Sequence, residues 1–130
     1  MSCADEQISA GGGETTGIIL IVEGGRILGA STGDSEAWLF TATGKQHLTK
    51  GQQRKPLVGS GEAEAVAFAF EPSEGLLLVA SDGLWKYTSI EKIGGEIQAA
   101  DRSTLLDRLA GLVRLSGALQ DDVAMAMISS

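Results

Sequence analysis

Short aliphatic runs separated by glycine-rich breaks dominate the chain, and that rhythm predicts strands more than long helices. Gly17 to Glu23 contains the unbroken run Ile18 to Val22 and predicts a buried strand; Gly24-Gly25 supplies a two-residue hairpin turn, and Arg26 to Thr32 its partner. Beyond the break at Gly33-Asp34-Ser35, Ala37 to Thr41 predicts a third strand. Thr43-Gly44 then turns the chain toward a short strand at Gln46 to Thr49. Ala65 to Phe70 alternates, with Val66, Phe68 and Phe70 on one face and alanines on the other. A turn at Pro72-Ser73-Glu74-Gly75 leads to Leu76 to Ala80, a buried strand that ends directly at Ser81-Asp82-Gly83.

The pattern then becomes helical. Thr88 and Glu91 have capping-box spacing, and Ile90, Ile93 and Ile97 follow on one face despite Gly94-Gly95. Ser103 to Leu115 predicts the clearest helix, because Leu105, Leu106, Leu109, Leu112 and Val113 form one apolar stripe and Gly117 lies past its end. A last strand is expected over Val123 to Ile128, with Val123, Met125 and Met127 facing one way. Met1 to Gly13 is small and polar and reads as a flexible or truncated N-terminal segment, with Ile8 its single core candidate. Residues 1–130 are thus read as one partial domain.

Composition agrees with a β-rich domain: of 130 residues, 43% are hydrophobic, 5% are aromatic and eighteen are glycine. The formal charge of −7 repels a phosphate backbone, so nucleic acid is excluded as a partner. One cysteine, Cys3, and one histidine, His47, exclude an internal disulfide and a structural zinc site. Ile18 to Val22 is far too short to cross a membrane and the N-terminus has no signal-like apolar segment, so the expected location is the cytoplasm.

Two acidic motifs sit where a buried strand meets a turn: Asp82 at the end of one strand, and Asp121-Asp122 before another. Such junctions aim carboxylates rigidly, and hard divalent cations take oxygen ligands. By spacing alone the same residues are also ordinary turn and cap residues. From Lys45 to Gly61 there is no acidic residue while Lys45, Lys50, Arg54 and Lys55 are basic, a stretch that suits either phosphate or solvent. Gly33-Asp34-Ser35 after a strand also fits an esterase nucleophile block, but Ser35 would need a histidine base and His47 follows too closely. Gly59-Ser60-Gly61 lacks the glycine and lysine of a nucleotide cradle. His47 reads as a surface side chain, and Trp38 and Trp85 as packing.

Five segments in order bear on that choice: Gly13-Glu14-Thr15-Thr16 before an aliphatic strand, GASTGDSEAW from Gly29, LTKGQQRKPLVGSG from Leu48, LLLVASDGLWKY from Leu76 and LQDDVAMAMI from Leu119. Together they resemble the C-terminal part of the 2C-type, metal-dependent protein phosphatases, most closely small bacterial members. The resemblance implies an α+β fold, a layered antiparallel β-sandwich flanked by helices, with the N-terminal strands missing. It implies hydrolysis of phosphoserine and phosphothreonine esters in a phosphoprotein by a metal-activated water. Asp82 and Asp121 would be ligands of a binuclear magnesium or manganese centre, and Asp34 would help hold a weaker third ion. Apart from the resemblance, the charges of Arg54 and Lys55 suit either a substrate phosphate or a solvated loop. Departures accompany it: Met1 to Gly13 lacks the family's Asp-Gly-x-Gly-Gly motif, Lys86 stands where many members have an aspartate, and Glu36 where an arginine often follows GDS. Metal binding is therefore expected to be weak or absent in this chain alone. Two functions remain open: a phosphatase that is incomplete and inactive by itself, or a non-catalytic phosphatase-like binding or regulatory module. Missing strands would also leave sheet edges that pair in a homodimer or with a partner supplying those strands.

Overall fold

The computed structural model describes residues 2–71, 74–99 and 101–129. Helix α1 (Ser2–Gly11) comes first, in the stretch read from sequence as a flexible or truncated segment. The hairpin β1 (Gly17–Glu23) and β2 (Arg26–Thr32) follows with the expected bounds, and Gly24 and Gly25 both have the positive φ that its two-residue turn demands. Next come β3 (Glu36–Thr41), β4 (Gly44–His47), β5 (Val66–Phe70) and β6 (Leu76–Ala80). The turn expected at Pro72-Ser73 lies outside the described residues.

Helices α2 (Asp82–Trp85), α3 (Ile90–Ala99) and α4 (Leu105–Leu112) follow β6. The α3 cap is Ser89, whose Oγ accepts the Lys92 N–H at 3.3 Å; Thr88 is buried one residue too early to cap. Helix α4 is shorter than its leucine stripe predicted. Val113 closes it, and Arg114–Leu115 and Ala118–Leu119 form a small hairpin, β7 and β8, through Ser116 and Gly117 at positive φ. Strand β9 (Met125–Ser129) ends the chain's regular structure.

One sheet has the order β1-β2-β5 and a second β4-β3-β6-β9, every pairing antiparallel. Alternation along the second sheet serves two cores. Ala37, Leu39 and Leu77 join Ile27, Leu48, Ile18, Leu20 and Phe68 between the sheets. Phe40, Leu76, Leu78 and Ala80 turn the other way, onto Ile93, Ile97, Leu105 and Leu109 of α3 and α4. Each fully buried leucine contributes roughly 1.5–3 kcal/mol by leaving water, which fixes the stacking of sheet, sheet and helices. Close approach makes Gly29 obligatory within β2: a Cβ there would lie 2.5 Å from the Phe68 ring.

The outer face of the first sheet is uncovered. Ile19, Ile21 and Leu28 are 54%, 57% and 48% exposed and lie in one patch, since Ile19 faces Ala30 and Ile21 faces Leu28 across the hairpin. The aliphatic run of β1 is therefore apolar on both faces, with Ile18 and Leu20 partly buried against the core and Ile19, Ile21 and Val22 exposed, a correction to its reading as a buried strand.

Candidate functional site

Register brings the acidic motifs to one end of the second sheet. Glu36 at the start of β3 pairs with Ala80 at the end of β6, and Ala80 pairs with Met125 at the start of β9. The GDS turn, the SDG junction and the Asp-Asp segment all abut that end.

Backbone contacts zip the SDG and Asp-Asp motifs together. The Ser81 N–H donates to the Ala124 carbonyl at 2.9 Å and the Ala124 N–H to Ser81 Oγ at 3.0 Å, while Ser81 Oγ donates to the Asp122 carbonyl at 3.3 Å. Gly83 lies so close that a Cβ would come within 2.3 Å of that same Asp122 oxygen. Asp82 and Asp121 are half-buried; Asp122 is exposed, and its N–H donates to Asp121 Oδ1 at 2.9 Å. Trp85 steadies the junction by donating from Nε1 to the Ala80 carbonyl at 2.9 Å.

A lysine shares the space. Lys86 Nζ lies 3.8 Å from Asp121 Oδ2 and 5.3 Å from the centre of the Tyr87 ring. Tyr87 most, then Asp121 and Asp82, push the Lys86 pKa above its ordinary value, so both aspartates lie within the ammonium's field. Asp34 is half-buried on a turn whose Gly33 has φ of +100° and donates its N–H to the Gln53 carbonyl at 2.8 Å. Among the described residues, no three carboxylate, histidine or cysteine side chains form a group that could hold a metal ion. Two carboxylates beside an ammonium do not fit a two-ion centre without further acidic ligands.

The Gly-Glu-Thr-Thr segment packs on the GDS turn, with Thr16 Oγ1 and Ser35 Oγ 2.6 Å apart. That bond, and the absence of histidine at Ser35, leave the esterase reading without a base. His47 is instead a correction. It is not a lone surface side chain: it stacks on Trp38 with centroids 4.4 Å apart, and its Nε2 lies 3.0 Å from Thr49 Oγ1 and 3.4 Å from Glu36 Oε2. Burial pulls its pKa below the ordinary value, Glu36 opposing and Lys50 assisting. The signal was the Trp38↔His47 register of β3 and β4, which no linear motif carries. Arg54 and Lys55 are exposed on the long loop from Lys50 to Glu64, without side-chain partners among the described residues.

Solved structures share this fold. The serine/threonine phosphatase PstP/Ppp of Mycobacterium tuberculosis superposes with a TM-score of 0.81 at 22% identity, over 95% of this chain and 66% of that one. The fold is that of the 2C-type serine/threonine phosphatases. The PstP catalytic domain in complex with two manganese ions gives 0.79 at 21% identity, over 98% of this chain and 68% of that one. Stp1 from Staphylococcus aureus gives 0.81 at 17%, over 99% of this chain and 64% of that one. The chain thus spans about two thirds of the length of these phosphatase-2C structures. No family model and no curated protein sequence matches it. Among the described residues, no helix is long and apolar enough to cross a membrane.

Proposed function

We propose that this chain supplies part of a metal-dependent phosphatase centre acting on phosphoserine or phosphothreonine in a phosphoprotein. The observation that carries the reading is the zipped SDG and Asp-Asp junction within a phosphatase-2C fold. In this reading Asp82 and Asp121 are ligands for magnesium or manganese, Asp34 is an accessory ligand, and carboxylates from outside these residues complete the set. The ions, when bound, activate water and neutralise phosphoryl oxygens. Arg54 and Lys55 offer charge-assisted hydrogen bonds to the incoming phosphate. The expected compartment is the cytoplasm.

A second reading, a non-catalytic phosphatase-like module, is favoured by Lys86, whose ammonium opposes a cation at Asp121. One comparison separates the two. Manganese-dependent hydrolysis of a phosphothreonine peptide is measured for the chain alone and with a phosphatase segment bearing Asp-Gly-x-Gly-Gly. Negligible activity alone and activity on addition supports the enzyme; inertness in both gives the binding module first place.

The uncovered outer face bears on partners. Strands of seven, seven and five residues, at about 3.3 Å per residue and about 4.8 Å apart, present on the order of 300 Å². A stable dimer needs roughly 800 Å² per partner, so face-to-face pairing alone is undersized. A covering segment that also pairs the free edge of β1 fits better than a homodimer through this face. Light scattering of the chain alone at micromolar concentration tests this: the account expects no stable homodimer, and a stable dimer that is lost when Ile19 and Ile21 are made polar would contradict it.

A further inference from the structure

The N-terminal helix is fastened to the basic loop by one carboxylate. Asp5 on α1 is 5% exposed, and its Oδ1 accepts the N–H groups of Gly59 at 2.5 Å and Gly61 at 3.2 Å. Oδ2 accepts the Ala63 N–H at 3.3 Å. Three converging backbone donors on one short stretch make an anion-binding concavity, here filled from within the chain. The stretch is shaped for it: Gly59 and Gly61 have φ of +105° and +79°, and a Cβ on Gly59 would lie 2.1 Å from the Gly13 carbonyl and 2.6 Å from Ile8. No residue of α1 other than Asp5 makes a side-chain hydrogen bond to this loop among the described residues.

The same loop grips the candidate site at its other end. The Gly33 N–H donates to the Gln53 carbonyl at 2.8 Å, and Gln52 Nε2 donates to the Ser35 carbonyl at 2.7 Å. Thr32 Oγ1 reaches the Pro56 carbonyl at 3.3 Å, and Val58 bridges Thr15. Arg54 and Lys55 lie between these two attachments. A loop held at both ends has fewer arrangements than one held at a single end, so what fixes Gly59 to Ala63 also restricts the GDS turn.

We propose that Asp5 is a positioning residue, a latch through which docking of α1 sets the loop that carries Arg54 and Lys55 and closes on the GDS turn. The functional value of that loop rests on the phosphatase reading; the latch itself is a property of this chain and is read without metal or substrate.

Amide hydrogen exchange on the full chain, compared with D5A and D5N, tests it. Loss of hydrogen bonds to a charged acceptor should speed exchange at Gly59, Gly61 and Ala63 by at least about tenfold. The Gly33 amide, bonded to Gln53 and remote from Asp5 in sequence, should accelerate with them, while amides of Leu77 and Leu78 stay unchanged. D5N, which keeps one acceptor oxygen without charge, should fall between wild type and D5A, and decides the matter if D5A does not fold. Acceleration at Gly59 with Gly33 unchanged would overturn the proposal, leaving Asp5 as an anchor for α1 alone. Equal acceleration at Gly33 and in β6 would also overturn it, by making the effect global. Neither result depends on hydrolysis, so failure of the latch and failure of the phosphatase reading are separate outcomes.

Discussion

Replacing Gly83 by alanine tests the claim that the two acidic motifs are fitted to one another. The residue lies in the four-residue helix α2, where alanine is intrinsically better than glycine by about 1 kcal/mol. Propensity alone therefore expects G83A to be more stable. Against this, the new methyl would stand 2.3 Å from the Asp122 carbonyl, 3.1 Å from its carbon and 3.2 Å from a Val123 methyl. The obstacle is backbone, which cannot swing aside as a long side chain would. Forcing a methyl into a packed contact costs about 1–3 kcal/mol. At 2.3 Å from backbone the clash belongs at the upper end of that range and outweighs the propensity gain, so the net loss should be up to about 2 kcal/mol, read as a lower urea midpoint with unchanged m-value. The Ser81 and Ala124 amides, which join the two motifs, should lose exchange protection in the same variant. A midpoint equal to or above that of the wild type would show that the junction is loose, and would refute the reasoning that builds the site from it.

Exchanging Lys86 for aspartate removes an ammonium beside Asp121 and adds a third carboxylate, so manganese affinity measured by calorimetry should rise severalfold; unchanged affinity would show that Lys86 does not govern the site. Acid should weaken the fold in two stages. His47, with its pKa lowered in the fold, contributes stability that is fully present above its unfolded value and diminishes as pH falls below about 6.5. Asp5, held low by the Gly59 N–H and opposed by burial, contributes stability present above its unfolded value near 3.8 and lost as pH falls through the lower folded value. Urea midpoints against pH should show both steps, and D5N should abolish the second.

The positions of β1, β2 and β5 were legible because each is decided locally, whereas β4 and β9 begin two residues from where they were expected. Ile18 to Val22 has no polar residue, Gly24-Gly25 permits the positive φ of a two-residue hairpin turn, and Val66, Phe68 and Phe70 alternate with alanines, so β1, β2 and β5 fall within a residue of expectation. The same holds for the Asp82 and Asp121 motifs, which their flanking strands carry to one end of the sheet. What was missed depends on contacts between distant segments. Helix α1 has little apolar content of its own, and its Asp5 anchors to residues more than fifty positions away. Leu115 ended the helix expected from the leucine stripe but is 66% exposed in a strand, because Ser116-Gly117 adopts a hairpin turn that leucine spacing does not foresee. His47 acquires its partners from the β3–β4 register.

Paramagnetic broadening by manganese is the most direct measurement of the central claim that Asp82 and Asp121 form the ligand pair of a phosphatase-type site. The account predicts weak binding, in fast exchange, with the amides of Asp82, Gly83, Asp121 and Asp122 broadened first and those around Glu62 and Glu64 unaffected at the same concentration. Broadening spread evenly over the acidic surface, or centred away from the Ser81–Ala124 junction, would contradict it.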